Sequence, residues 1–98
     1  MKTTEQTTST YGNAWIINVD VQNDFALPTG ALSVADGESI VSPLNQINRW
    51  AREQGGTIVF TGDQHPPHTA HFIEHGGPWP THCVAGTAGA ELHEALEV

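Results

Sequence analysis

The segment from Gly62 to Val84 carries most of the side chains in this sequence that could do chemistry. It holds five of the six histidines, and Asp63 and His65 come directly after an apolar run that predicts a β-strand. Side chains two residues apart in extended backbone point the same way, so these two could bind one cation. Together with His71 and His82 they would offer one carboxylate and three imidazoles. Such a ligand set suits Zn²⁺ and also fits Fe²⁺ or Mn²⁺.

The composition of the same segment favours a metal site over a solvated loop. Four prolines restrict its backbone and lower the entropy lost in ordering it, namely Pro66, Pro67, Pro78 and Pro80. The alternative interpretation is that the histidines only decorate a polar loop or hydrogen-bond its turns. His68 and His75 are expected to be bystanders, because four protein ligands already leave little room on a metal that must keep an open position.

Length and charge limit the function classes. At 98 residues the chain is one domain at most, and 38% hydrophobic residues is a low share for a small core. A formal net charge of −8, with three Lys and Arg residues, argues against nucleic acid or an anionic membrane as partner. A small neutral substrate is the better expectation.

The N-terminal region and the cysteine count indicate the cytoplasm. Residues 1–12 are polar and threonine-rich, which predicts a disordered tail without a signal peptide. One cysteine, Cys83, cannot form an internal disulfide, and no apolar run is long enough for a transmembrane helix. The folded domain is expected to occupy residues 13–98.

Two strands are predicted to position the acids. The apolar runs 15–19 and 57–61 are typical of strands in a parallel sheet that is covered on both faces. Asp20 and Asp63 each close one of them, and ligands of open α/β sheets bind at the carboxyl ends of the strands. Both acids are therefore expected to face one site, although an aspartate such as Asp20 could instead cap a turn or helix.

Two helices are predicted between and after the strands. The first spans about 43–54, with Ser42 as N-cap, Pro43 as first residue and Gly55 as stop. Its apolar face is expected to hold Leu44, Ile47 and Ala51, with Asn48 among the residues outside.

The second helix is predicted over 88–96, with His93 on its surface. Strand, crossover helix and strand make one right-handed β-α-β unit. Because two strands make a poor parallel sheet, the pattern predicts a missing C-terminal half.

Three motifs at ordered spacing resemble one enzyme family. They are Ile-Ile-Asn-Val-Asp-Val-Gln-Asn-Asp-Phe at 16–25, Asp-Gln-His-(x5)-His at 63–71, and Trp-Pro-Thr-His-Cys-Val-Ala-Gly-Thr-Ala-Gly-Ala-Glu at 79–91. This pattern is similar to the nicotinamidases of the isochorismatase-like cysteine hydrolases and covers residues 15–96. Isochorismatases share the first motif but lack the metal-ligand set, so the resemblance is to the nicotinamidase branch.

The resemblance implies a Rossmann-like three-layer α/β fold with a mainly parallel sheet, here truncated after its first βαβα portion. It implies hydrolysis of nicotinamide to nicotinate and ammonia in NAD salvage by a Cys-Asp-Lys triad, with a metal that contacts the pyridine nitrogen. The roles that it assigns are triad aspartate for Asp20, aromatic pocket walls for Phe25 and Trp79, and metal ligands for Asp63, His65, His71 and His82. The partner expected at full length, besides the small-molecule substrate, is a second copy of the chain in a homo-oligomer.

Two triad members have no counterpart in the sequence. The family's lysine and nucleophilic cysteine follow the predicted helix at 88–96, whereas Lys2 lies in the tail and Cys83 sits beside a metal ligand. The first hypothesis is therefore the N-terminal portion of a nicotinamidase, inactive alone. The alternative is a metal-binding, non-catalytic module or partner subunit of the same fold. A third hypothesis, Cys83 as nucleophile with Asp20 as base, is disfavoured because a residue next to an expected metal ligand such as His82 is usually directed elsewhere.

Overall fold

The computed structural model describes residues 10–98, so most of the predicted tail lies outside the described part. Its last residues, from Thr10, form a turn that leads into the first strand, and the ring of Tyr11 lies 5.0 Å from that of Trp50. The main elements are β1 (Trp15–Asn18), α1 (Asn23–Ala26), α2 (Val41–Glu53) and β2 (Thr57–Phe60). Short 3₁₀ turns span Gly37–Ile40, Ile73–His75 and Ala88–Ala90.

The two strands pair in parallel and confirm the predicted β-α-β order. Trp15 pairs with Thr57 and Asn18 with Phe60, while α2 crosses between the strands and packs against both. Parallel pairing requires such a crossover, because a tight turn can join only antiparallel strands. The carboxyl ends of both strands therefore lie side by side, which brings residues 20 and 61–63 together.

Helix α2 begins two residues earlier than predicted, and Ser42 is not its N-cap. The 3₁₀ turn Gly37–Ile40 runs directly into the helix, so Ile40 occupies the cap position in a helical conformation. Val41 is buried with Val21 and Leu96 in the main apolar cluster, with Leu44, Phe60 and Leu92 packed around it. The helix therefore begins at the buried Val41, before the Ser42-Pro43 pair that was predicted to start it.

The buried face of α2 is also rotated from the predicted one. Asn48, expected outside, is fully buried and exchanges two amide hydrogen bonds with Asn18 on β1, at 3.0 and 3.1 Å. Ile47, expected inside, is 43% exposed, whereas Ala51 is buried as predicted. A reciprocal amide pair satisfies both side chains without water, and this allows a polar residue into the interface.

The predicted helix at 88–96 does not form. Ala88–Ala90 makes one 3₁₀ turn, and the chain then pairs with the segment after β1: Gln22 and Leu92 form an antiparallel bridge, and the His93 N–H donates to the Val21 carbonyl. His93 is buried, contrary to prediction, and its Nε2 lies 2.7 Å from a Glu38 carboxylate oxygen. Pairing with residues 21–22 satisfies backbone groups that a helix would have satisfied internally.

One face of the sheet is covered by α2 and the other is open within residues 10–98. Trp15 and Ile17 of β1, and Val19 directly after the strand, occupy alternate positions and are 64%, 56% and 65% exposed. The strand composition predicts burial on both faces, so the open face is one that further structure would have to cover. Among the described residues, the helices are too short and too polar to cross a lipid bilayer.

Candidate metal and substrate site

Three histidines converge beyond the carboxyl end of β2. One ring nitrogen from each of His65, His71 and His82 lies within 4.8 Å of the others. The Asp63 Oδ2 atom lies 3.0 Å from His65 Nε2 and 3.2 Å from His82 Nε2. The structure therefore brings together all four residues that the sequence singles out as metal ligands. His68 and His75 lie outside this group, as expected.

His82 is held in the tautomer that a metal ligand needs. Its Nδ1 lies 2.7 Å from the Pro80 carbonyl oxygen, which can only accept, so the proton belongs on Nδ1. The Nε2 lone pair is then free, and Nε2 is the atom that faces Asp63. Backbone carbonyls commonly fix ligating histidines in this way. Phe72 is fully buried and packs edge-on against His65 and His82, with ring centroids 5.4 and 5.5 Å apart.

Isolated bridges in the proline-rich loop align its ligands. The His65 N–H donates to the Cys83 carbonyl and the Ala85 N–H to the His65 carbonyl, which places His82 beside His65. The Ile73 N–H donates to the Trp79 carbonyl, which brings the indole to within 6.4 Å of the His71 ring. The loop is thus ordered by backbone pairing, and the prolines add local stiffness.

Gln22, which the sequence analysis did not single out, holds the loop at Asp63. Its side chain is almost fully buried and makes three hydrogen bonds: Nε2 donates to the carbonyls of Asp63 and Ala90, and Oε1 accepts from the Asp63 N–H. These bonds fix the ligand's backbone and connect it to the 88–90 turn. The one available signal was its place between Asp20 and Asp24 in the first motif.

Asp20 lies two residues after the end of β1 in a left-handed conformation, with φ of 54°. Its N–H donates to the Thr61 hydroxyl at 3.0 Å, and that hydroxyl donates to Asp20 Oδ1 at 2.6 Å. Thr61 follows β2, so this exchange ties the carboxylate to the neighbouring strand end. The cap alternative considered for Asp20 fails for α1, whose N-cap is Gln22. Thr61 is a second positioning residue missed from sequence.

A concave site of about 380 Å³ joins the acid, the aromatic residues and the histidines. Its lining residues are Asp20, Phe25, Leu32, Asp63, His65, His71, Trp79 and His82. Between ring centroids, Phe25 lies 5.6 Å from His82 and Trp79 lies 6.4 Å from His71. Small-ligand sites begin at about 300 Å³ and combine apolar walls with a few polar groups. The cavity is therefore large enough for a small ligand and has both apolar and polar walls.

Cys83 is not placed to act as a nucleophile. It is fully buried, and its N–H donates to Asp24 Oδ2 at 2.8 Å. Burial, reinforced by the carboxylates of Asp24, Asp63 and Asp20, raises the pKa of the Cys83 thiol to about 11. A thiol needs to be a thiolate to attack or to bind a metal. Cys83 is therefore a neutral structural residue, and Asp24 is an anchor that ties α1 to the ligand loop.

The charge balance and donor atoms of the site fit a divalent cation. Asp20 and Asp63 both line the cavity, while Arg49 and Arg52 project from α2, and Arg49 pairs with Glu97. An anionic cavity with three imidazoles and a carboxylate oxygen matches what Zn²⁺ and related first-row ions bind. The residues present thus fit a metal ion.

Comparison with known proteins identifies the family of this chain. The Isochorismatase domain model matches residues 14–98. This chain belongs to the isochorismatase-domain family. A nicotinamidase from Acinetobacter baylyi is 38% identical over 102 residues, which cover 88% of this chain and 45% of that protein. The chain thus spans less than half the length of this curated relative.

Solved structures of the family agree with the fold. PnC1 from L. infantum in complex with nicotinate matches with a TM-score of 0.78 and 38% identity, over 92% of this chain and 44% of that one. The pyrazinamidase of Pyrococcus horikoshii in complex with zinc matches with a TM-score of 0.74 and 45% identity, over 84% and 48%. The predicted family and its α/β fold class are confirmed.

Proposed function

We propose that this chain forms the metal-binding and ring-binding part of a nicotinamidase, which hydrolyses nicotinamide to nicotinate and ammonia in cytoplasmic NAD salvage. The observation that carries the proposal is that one cavity is lined by Asp20, Phe25, Trp79 and all four residues of the candidate ligand cluster. The nicotinamidase relatives and the nicotinate complex of the L. infantum protein support the substrate class.

Phe25 and Trp79 would bind the flat ring of the substrate. Aromatic side chains bury a large area and stack well against a heteroaromatic ring. A divalent ion held by Asp63, His65, His71 and His82 would supply a coordination position for the pyridine nitrogen. Orientation of the ring fixes the amide carbonyl for attack, and this can contribute several kcal/mol to the barrier reduction.

Asp20 would accept and return the proton of the reaction. An amide is a poor electrophile and a neutral thiol a poor nucleophile, so a carboxylate near both must move a proton. Thr61 donates to Oδ1 of Asp20 and holds the carboxylate at the cavity wall. The nucleophilic cysteine that the family resemblance requires is not Cys83, whose thiol is buried.

Metal analysis of a histidine variant and a matched control variant tests the ligand assignment. His71→Ala removes a nitrogen from the cluster and should abolish high-affinity metal binding, whereas Gln64→Ala, an exposed change in the same loop, should preserve it. Equal binding by both variants would contradict the assignment. Deamidation of nicotinamide is then measured with the C-terminal half of a family relative supplied as a separate chain, and with the unchanged chain alone as control.

A second candidate function is a metal-binding, non-catalytic module or partner subunit of the same fold. The buried state of Cys83 favours it, because the described residues then contain no exposed nucleophilic thiol. Tight metal binding without deamidation, even with the complementing half bound, would support this function. Deamidation by the complex, lost in the Asp20→Asn variant, would support the nicotinamidase.

A further inference from the structure

Two exposed histidines face each other on the outer side of the ligand loop. His68 Nδ1 lies 3.4 Å from His75 Nε2, and their rings meet at 82° with centroids 5.4 Å apart. Neither residue lines the cavity that contains the first cluster. His68 follows the proline pair, whereas His75 ends the 3₁₀ turn Ile73–His75, so tertiary structure brings them together.

We propose that His68 and His75 form a second divalent-metal site, separate from the candidate substrate site. Zn–N bonds of about 2.0–2.1 Å at a tetrahedral angle place two ligating nitrogens about 3.3–3.4 Å apart. The observed 3.4 Å separation matches that edge. It is longer than the usual range for a hydrogen bond donated by nitrogen. The pair is thus spaced for a bridging ion better than for a shared proton.

The surroundings of the pair favour a cation. Glu74 Oε1 lies 3.8 Å from His75 Nε2, and the Thr81 hydroxyl donates to the same carboxylate oxygen at 3.1 Å. The carboxylate is therefore held near the pair and adds negative charge, in a chain whose formal net charge is −8. A nearby acid and an anionic surface raise the local cation concentration.

The chemistry of the site defines the ions that it would take. Two neutral imidazoles, with water in the remaining positions, suit Zn²⁺, Ni²⁺ and Cu²⁺, which favour nitrogen ligands, over Mg²⁺ or Ca²⁺. Fewer protein ligands make this site weaker than the four-ligand cluster. An ion there would also cross-link residues 68 and 75, which flank His71, and would restrain the segment that carries this ligand.

Zinc titration of the full chain tests the proposal. Equilibrium dialysis should give two equivalents, the second bound at least tenfold more weakly. His68→Ala and His75→Ala should each lose the weaker equivalent and keep the stronger one, and Gln64→Ala should keep both. His71→Ala should lose the stronger equivalent and keep the weaker one, so failure of the first site is distinguished from failure of the second.

Imidazole ¹⁵N NMR identifies the ligating atoms independently of stoichiometry. Addition of the second zinc equivalent should shift the His68 Nδ1 and His75 Nε2 signals, with the circular dichroism of both alanine variants unchanged from the parent. Glu74→Gln should weaken the second equivalent by a few-fold. A second equivalent that survives both alanine variants, or its absence up to millimolar zinc, would overturn the proposal.

Discussion

Replacement of Gln22 by methionine should unfold the chain more easily and weaken its first metal site. The nearly fully buried side chain makes three hydrogen bonds to backbone groups of Asp63 and Ala90. A net value of about 1 kcal/mol per bond gives a loss of about 3 kcal/mol in the free energy of unfolding. Methionine has a similar volume, so a cavity contributes little to this loss.

The metal site should respond because Gln22 fixes the backbone of a ligand. Loss of an outer partner of a metal ligand typically costs about 10–100-fold in affinity, and we expect the lower end because Asp63 keeps its own side-chain contacts. Urea unfolding of the metal-free chain gives the stability change, and competition with a chromophoric chelator gives the affinity change. The control is Gln46→Met, the same chemical change at an exposed position of α2.

The two measurements separate a structural role from a positioning role. If Gln22→Met lost less than about 0.5 kcal/mol, the three bonds would not carry the stability assigned to them. If stability fell as expected but zinc affinity stayed equal to that of Gln46→Met, Gln22 would support the fold without positioning Asp63. Either result would refute the corresponding half of the reasoning.

Three further outcomes are expected. Asp20→Asn should lower turnover of the complemented enzyme by about 10²-fold or more with zinc content unchanged, since an amide cannot accept the thiol proton; near-normal turnover in the deamidation assay would remove Asp20 from the reaction. Asn48→Leu should cost about 1–3 kcal/mol in urea unfolding because the Asn18 amide loses its buried partner, and adding Asn18→Leu should recover part of it; no recovery would contradict the pairing. Ile17→Lys, at a 56% exposed position, should block association with a complementing family half in gel filtration and leave zinc binding intact; unimpaired association would show that another surface is used.

The strand order and the ligand cluster were accessible from sequence because both depend on short-range patterns. An apolar β-branched run that ends in an acid predicts a strand end, and period two places Asp63 and His65 on one side. The convergence of His71 and His82 followed from chemistry, since so many histidines in one stiff loop are hard to explain otherwise. The assignment of these residues as ligands remains a prediction until metal is measured.

Tertiary contacts explain why the predictions for residues 88–96 and for Asn48 were wrong. The 88–96 segment has helical periodicity, yet Leu92 pairs with Gln22 and Leu96 enters the core beside Val21 and Val41. Asn48 carries no local sign that Asn18 will face it across the interface between α2 and β1. Contacts between residues far apart in sequence override helix propensity, which is a weak prior. The same long-range contacts conceal Gln22 and Thr61, whose roles depend on Asp63 and Asp20.

Metal binding and hydrolysis place different demands on the described structure. The four candidate ligands come from one loop that is closed by its own backbone bridges and held by Gln22, so metal binding draws on contacts within residues 10–98. Asp20 instead lies two residues after β1, beyond the exposed side chains of Trp15, Ile17 and Val19. Under the proposed function, further family structure has to cover these side chains and also supply the nucleophile. Hydrolysis therefore depends on that further structure, whereas zinc binding should not require it.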